Sequence, residues 1–429
     1  MEHGVDGIIV HENGDRIIDI DGAATGDETI DYEDDDHKGS TSFLRTCLNS
    51  VNALSGVGIL SLPYAVSSGG WLTLIFFFLI AGSTYYTALL IQRCLDMDRN
   101  IRSYPDIGGR AFGPKGRKIA SLAANVELYL VATGFLILDG DNLHNLFPGI
   151  GFNIGRLVFG GRTCFILMMG LLILPTVWLN NMHILSYISA TGVVASFVIL
   201  CSVLWAGVFD GIGFREKGTL INLKGIPTAL SLYAFCYSAH PVFPTLYNSM
   251  KSRKKFSKIM LVCFLVSTTS YAAMAVLGYL MFGSKVESQV TLNLPTNKTS
   301  AKVAIYTTLV NPFAKFALMV KPVMSALENR LSPRPNRRRS TLIRTAMTLS
   351  MMVVGITIPF FGYLMSLVGA FLGVTGSIIL PCVFFLKISG IYGRFGFEMA
   401  FIWVIILLGG VILVVGTYTS LQEIIKHLL

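Results

Sequence analysis

The chain has 429 residues, of which 53% are hydrophobic and only 14% charged, with a mean hydropathy of +0.62. A soluble domain carries roughly 25% charge, so this composition excludes a water-soluble globular enzyme; the repeated apolar segments of about 20 residues instead match the thickness of a bilayer core. The formal net charge of +9 joins two opposed blocks, because residues 1–42 hold thirteen acids against Arg16 and Lys38, and the remainder carries an excess of twenty positive charges.

The acidic block comes first. Its run Asp31, Tyr32, Glu33, Asp34, Asp35, Asp36 cannot bury apolar surface, so residues 1–40 are expected to form a disordered acidic cytosolic tail, solvated or regulatory. No basic segment followed by an apolar stretch opens the chain, which leaves the first span to act as its own insertion signal. Eleven apolar runs follow. The first five are Phe43 to Ser67, Trp71 to Cys94, Ile119 to Phe147, Thr163 to Leu179 and Ile184 to Val208. Five more start near Ile226, Ile259, Val303, Thr341 and Phe360, and the last runs from Met399 to Tyr418. The reading is an all-α polytopic membrane protein with eleven transmembrane helices. Residues 41–210 hold the first five, 226–386 the second five, and 387–429 the eleventh helix and the C-terminus.

Lys and Arg in alternate loops set the orientation. One set of loops carries twenty, including Arg117 and Lys118, Lys251 to Lys258, and Arg330 to Arg344; the other carries nine. The N-terminus is therefore expected in the cytosol and the C-terminus on the far side. The sequon Asn297-Lys298-Thr299 falls in a far-side loop, where it is a glycosylation candidate. Arg337, Arg338 and Arg339 read as a topogenic loop with some attraction for anionic lipid rather than as a nuclear-import signal.

Two spans are interrupted in their middles. Span 1 contains Ser55-Gly56-Val57-Gly58-Ile59-Leu60-Ser61-Leu62-Pro63, and span 6 contains Tyr237-Ser238-Ala239-His240-Pro241-Val242-Phe243-Pro244. Membrane helices tolerate ordinary proline kinks, but breaks at corresponding positions of two five-helix sets point to an inverted-repeat secondary transporter with its site at the breaks. Freed N–H groups at a half-helix N-terminus favour a carboxylate, and freed carbonyls favour an ammonium group or a cation. A zwitterionic amino acid offers both.

Ionisable residues inside spans form a second layer, since each is costly in hydrocarbon unless it faces the bundle interior. His240 in the second break is either a neutral, hydrogen-bonded structural histidine or a substrate and proton ligand. Lys315, in the middle of span 8, can fill the place of a sodium ion or exchange a proton, while Lys321 is expected to snorkel. Glu127 in span 3 is a gate residue or the partner of a loop arginine, and Asp139, Asp141 and His144 are expected in interfacial water. Seven cysteines without CxxC spacing indicate neither a disulfide framework nor a zinc site. Neither a nucleotide-binding motif nor a hydrolase or zinc-protease motif is present, so no enzyme, metal or cofactor is expected, and transport must draw on an ion gradient.

The stretch Asn52-Ala53-Leu54-Ser55-Gly56-Val57-Gly58-Ile59-Leu60-Ser61-Leu62-Pro63-Tyr64-Ala65 resembles the first-helix signature of the amino acid/auxin permease family. Ser103-Tyr104-Pro105-Asp106-Ile107-Gly108 with Ala111-Phe112-Gly113 resembles that family's first cytosolic loop, and Tyr233 to Pro241 its sixth helix. Among subgroups the chain is most similar to the plant vacuolar amino acid transporters. The resemblance implies a leucine-transporter-type fold of two inverted five-helix repeats plus an eleventh helix, and proton-coupled movement of neutral amino acids. It maps substrate contacts onto Ser55, Gly56, Val57, Gly58, Tyr237, Ser238 and His240. Proton coupling is expected at His240 and Lys315; an inward Lys315 argues against sodium. The expected partners are an amino acid, protons and the lipid bilayer, with no nucleic acid. The vacuolar membrane is the favoured location and the plasma membrane the alternative; an amino acid sensor and an auxin carrier remain as other functions.

Overall fold

The computed structural model describes residues 41–428 except 155–156, 179–181, 332–335, 359 and 392–395; the acidic tail expected at 1–40 lies outside the described residues. The first interrupted span is α1 (Phe43–Leu54) and α2 (Leu62–Gly69), separated by extended backbone at Gly56 and a 3-10 turn at Val57–Ser61. The helix resumes at Pro63, which lies in the first turn of α2, where a missing N–H costs nothing and the fixed φ favours helix. Helix α3 (Thr73–Met97) has 25 residues, about 37 Å at 1.5 Å per residue, enough to cross hydrocarbon without interruption.

Helix α4 (Tyr104–Leu146) begins earlier than the apolar run suggests. Residues 103–118, expected as a loop, are mostly helical, because Ser103 and Asp106 form a reciprocal capping box and Pro105 occupies the first turn. Phe112 and Gly113 leave helical geometry, with Gly113 at φ +66°, so α4 is a short helix joined to a long one at a kink. A two-stranded antiparallel hairpin, β1 (Phe152–Ile154) and β2 (Leu157–Phe159), precedes α5 (Gly161–Trp178) and α6 (Met182–Phe209).

The second interrupted span is α7 (Ile226–Cys236) and α8 (Phe243–Ser249), joined through non-helical Tyr237 and Ala239 and a 3-10 turn at His240–Val242. Next come α9 (Phe256–Phe282), α10 (Thr299–Leu331) and α11 (Arg337–Thr357). Helices α12 (Phe361–Leu367) and α13 (Leu380–Ser389) are joined by π-helical turns into one apolar segment, as are α14 (Phe397–Val411) and α15 (Thr417–Leu428).

Among the described residues nine helical segments are long and apolar enough to cross a membrane, and the first broken span, bent by 43°, makes a tenth. The remaining span expected from the sequence is α7 with α8, of 11 and 7 residues, neither of which crosses alone. Large apolar side chains face outward along the spans, among them Phe78, Leu171, Phe197, Leu265, Trp403 and Leu407, as the lipid-facing surface of a membrane protein requires.

The two broken spans run antiparallel beside each other. At one end Asn222, just before α7, donates its backbone N–H to Gly69 O (2.9 Å) and its amide to Ser68 O (2.8 Å) at the end of α2. At the other end Thr41, just before α1, donates to Ser249 O (3.0 Å) and accepts from Lys251 N (3.1 Å) just after α8. Tied at both ends, the spans bring their breaks to the same depth.

Candidate substrate site at two helix breaks

A helix interrupted inside a membrane leaves carbonyls without partners on one side of the gap and N–H groups on the other. At the first break the carbonyls belong to the last turn of α1, and residues from distant helices meet them. Lys315 of α10 is buried and donates from Nζ to Ser55 O (3.0 Å) and Asn52 O (3.4 Å). A cation at a helix C-terminus is favourable on dipole grounds as well. Tyr271 of α9 donates its hydroxyl to Leu54 O and also lies 3.4 Å from Cys236 O at the end of α7. One phenol thus touches the last carbonyls of both broken helices. On the N–H side, Val57 and Gly58 open the 3-10 turn with no intrahelical acceptor.

Gly58 is also where the two breaks touch. A Cβ at this position would lie 2.8 Å from Cys236 Sγ and 3.3 Å from the Phe235 ring, so only the absence of a side chain permits this approach. Ser55, Val57 and Gly58 are all buried, while Gly56 is partly accessible, and a Cβ there would meet only Leu54 O at 3.9 Å and Gly58 N at 4.0 Å.

At the second break the side chains of the break itself reach outward. Ser238 donates to the buried carboxylate of Glu127 on α4 and lies 3.5 Å from Ser377 Oγ in the π-helical segment. Tyr237 pairs its hydroxyl with Thr268 of α9 (2.9 Å) and stacks its ring parallel to Phe264, centroids 5.9 Å apart. His240 is fully buried; its Nε2 faces Thr84 O at 3.0 Å and Thr87 Oγ1 at 2.9 Å on α3, and Thr87 in turn donates to Ser377 O (2.7 Å). A carbonyl can only accept, so the tautomer with its hydrogen on Nε2 is the one that bonds Thr84 O. Nδ1 is left without a hydrogen-bond partner among the described residues.

The structure thus brings Ser55, Gly56, Val57, Gly58, Tyr237, Ser238, His240 and Lys315 into one region and adds residues that sequence reasoning did not assign: Asn52, Thr84, Thr87, Thr268, Tyr271 and Ser377. Glu127 has Ser238 as its partner rather than a loop arginine. The water-facing position expected for Asp139 and Asp141 is corrected. Asp139 is fully buried, and Asp141 forms a largely buried ion pair with Arg162 of α5 (2.5 Å) while accepting from Gln289 (3.0 Å). The last turns of α4 are packed under the segment around Gln289 and against α5, so they do not emerge into water. Asn297 is exposed in the turn before α10.

Residues 39–422 match the family of transmembrane amino acid transporter proteins. The amino acid transporter AVT1J of Arabidopsis thaliana is 56% identical over 401 residues, 93% of this chain and 95% of the relative. AVT1I from the same plant is 53% identical over 392 residues, covering 91% and 97%. The more distant Arabidopsis amino acid transporter ANT1 is 26% identical over 378 residues, 82% and 85% of the two chains. With its membrane-length helices and two breaks in contact, the chain is a multi-pass integral membrane protein that belongs to this amino acid/auxin permease family.

Proposed function

We propose that the chain is a secondary active transporter that moves neutral amino acids across an endomembrane, the vacuolar one by its resemblance, coupled to protons and working by alternating access. The observation that carries this reading is the contact between the two breaks, bridged by Tyr271 and closed by Gly58 against Cys236. In the proposal α7 and α8 form one crossing, giving eleven spans in two inverted sets of five, 41–210 and 226–386, followed by an eleventh. The N–H groups opening the Val57 turn, with Ser55 and Gly56, take the substrate carboxylate. Tyr237, Ser238 and His240 supply the amine contacts and the side-chain pocket.

In the proposal the substrates are neutral, with Lys315 held at the α1 carbonyls and Glu127 hydrogen-bonded to Ser238. Lys315 holds α1 carbonyls that a metal cation would otherwise coordinate, which favours protons over sodium, and His240 with Lys315 would exchange the coupled proton.

The test is uptake of labelled neutral amino acids into proteoliposomes carrying an imposed pH gradient. Flux that follows the gradient and collapses with a proton ionophore is expected, and its sign distinguishes symport from antiport. Flux that ignores the pH gradient but follows sodium would overturn the coupling. Glycosylation of the native chain but not of Asn297→Gln would place the loop before α10 on the luminal side.

A further inference from the structure

On the basic side of the molecule α4, α10 and α11 enclose an open groove of about 570 Å³. Its walls are mainly apolar, with Val126 from α4, Val323 and Leu327 from α10, and Ile343 and Met347 from α11, and no acidic side chain lines it. The hydrogen bond between Tyr129 and Ser350 (2.9 Å) lies deeper in the same groove. Arg330, one residue before the end of α10, is the charged member of its lining.

Helical periodicity brings two further cations to the mouth. On α11 the groove face of Ser350, Met347 and Ile343 continues one turn earlier to Arg339, and on α4 the face of Tyr129 and Asn125 continues through Leu122 to Lys118. Lys118, Arg330 and Arg339 are exposed, and none forms an ion pair among the described residues. The acid nearest in sequence to Arg330, Glu328, is taken by Arg344 (2.7 Å). Arg337 and Arg338 stand on other faces of α11.

We infer that this groove binds an anionic phospholipid, one acyl chain lying along the apolar walls and the phosphate headgroup meeting Lys118, Arg330 and Arg339. Apolar walls facing a bilayer attract any lipid tail. The preference for an anion comes from three unpaired cations, each contributed by a different helix, at one end of the groove. Arginine in particular offers paired N–H donors matched to phosphate oxygens.

The test measures binding of a labelled phosphatidylinositol phosphate to the full chain in phosphatidylcholine nanodiscs. Two double variants remove the same charge: Arg330→Gln with Arg339→Gln, and Arg337→Gln with Arg338→Gln. The first should weaken binding about twenty-five-fold, at about fivefold for each basic residue near the surface, and the second should leave it nearly unchanged. Ala346→Trp fills the groove with every charge kept, and should weaken binding of the whole lipid but not of a soluble inositol phosphate. Equal losses in the two double variants would reduce the effect to bulk surface charge and overturn the site. A soluble headgroup competing as well as the whole lipid would overturn the role of the groove. Thermal unfolding of each variant in detergent separates these results from misfolding.

Discussion

The two breaks solve one problem in opposite ways. At the first, Ser61 caps Gly58 O within the break (2.9 Å), but the carbonyls at the end of α1 take their donors from elsewhere: Lys315 from α10 and Tyr271 from α9. At the second, the break supplies its own side chains, and Ser238, His240 and Tyr237 reach out to α4, α3 and α9. The carbonyls of the first break are thus held by side chains from other helices, while the second break is anchored through its own side chains. Residues remote from the first break should control it; residues within the second should control the second.

The strongest challenge to that contrast is Lys315→Met. Removing the ammonium leaves the buried Asn52 O and Ser55 O without this donor. A stability loss of about 3 kcal/mol in detergent unfolding is expected, together with loss of uptake in proteoliposomes. Full activity in this variant would show that the first break needs no remote cation. Gly58→Val pushes a branched side chain against Cys236 Sγ and should cost about 2 kcal/mol; adding Cys236→Ala should recover part of it, and failure to recover any would place the strain elsewhere. Ser238→Ala removes the donor to the Glu127 carboxylate and should cost about 1.5 kcal/mol, against almost nothing if the second break were held by its backbone. Tyr271→Phe deletes one hydroxyl and should cost about 1 kcal/mol, with uptake falling more than stability because both breaks lose their shared contact. Ser55→Ala is the counterpart of Ser238→Ala at the first break. No hydrogen bond from its side chain to a described residue is present, so its stability should stay within about 0.5 kcal/mol of the native chain; a larger loss would mean that this break, too, leans on its own side chains.

The positions of the breaks were legible because Gly56, Gly58, Pro63, Pro241 and Pro244 each carry a local physical constraint. In place, the prolines do not bend continuous helices: Pro63 and Pro244 lie in the first turns of α2 and α8 and start the second half of each span. The spans were legible for a similar reason, since apolar length is a property of a single segment. What sequence did not disclose is which hydroxyls leave their own helix. Thr84 and Thr87 both hydrogen-bond back within α3, to Ile80 O (2.7 Å) and Thr84 O (3.0 Å), as most threonines in membrane helices can, but only the Thr87 hydroxyl also meets His240 and Ser377. Nothing in the local pattern separates the two. Tyr271 belongs to the run Ser267-Thr268-Thr269-Ser270-Tyr271, a polar patch in an apolar span that was a usable signal. Asp139 and Asp141 were misjudged because proximity to a helix end was taken as proximity to water, and the segment that covers them is distant in sequence. The early start of α4 was encoded in Ser103 and Asp106, whose spacing is that of a capping box.

Tyr271 carries a consequence in hydrogen counting. A phenol has one hydrogen to give, and two carbonyls, Leu54 O and Cys236 O, lie within its reach. In the proposed alternating access, a small slide of one broken helix past the other would move that hydrogen from one acceptor to the other without an interval in which it has none. The step would then cost the difference between two carbonyl acceptors rather than the roughly 1 kcal/mol of a bond lost outright. At this point the two spans would meet over a bearing rather than a latch.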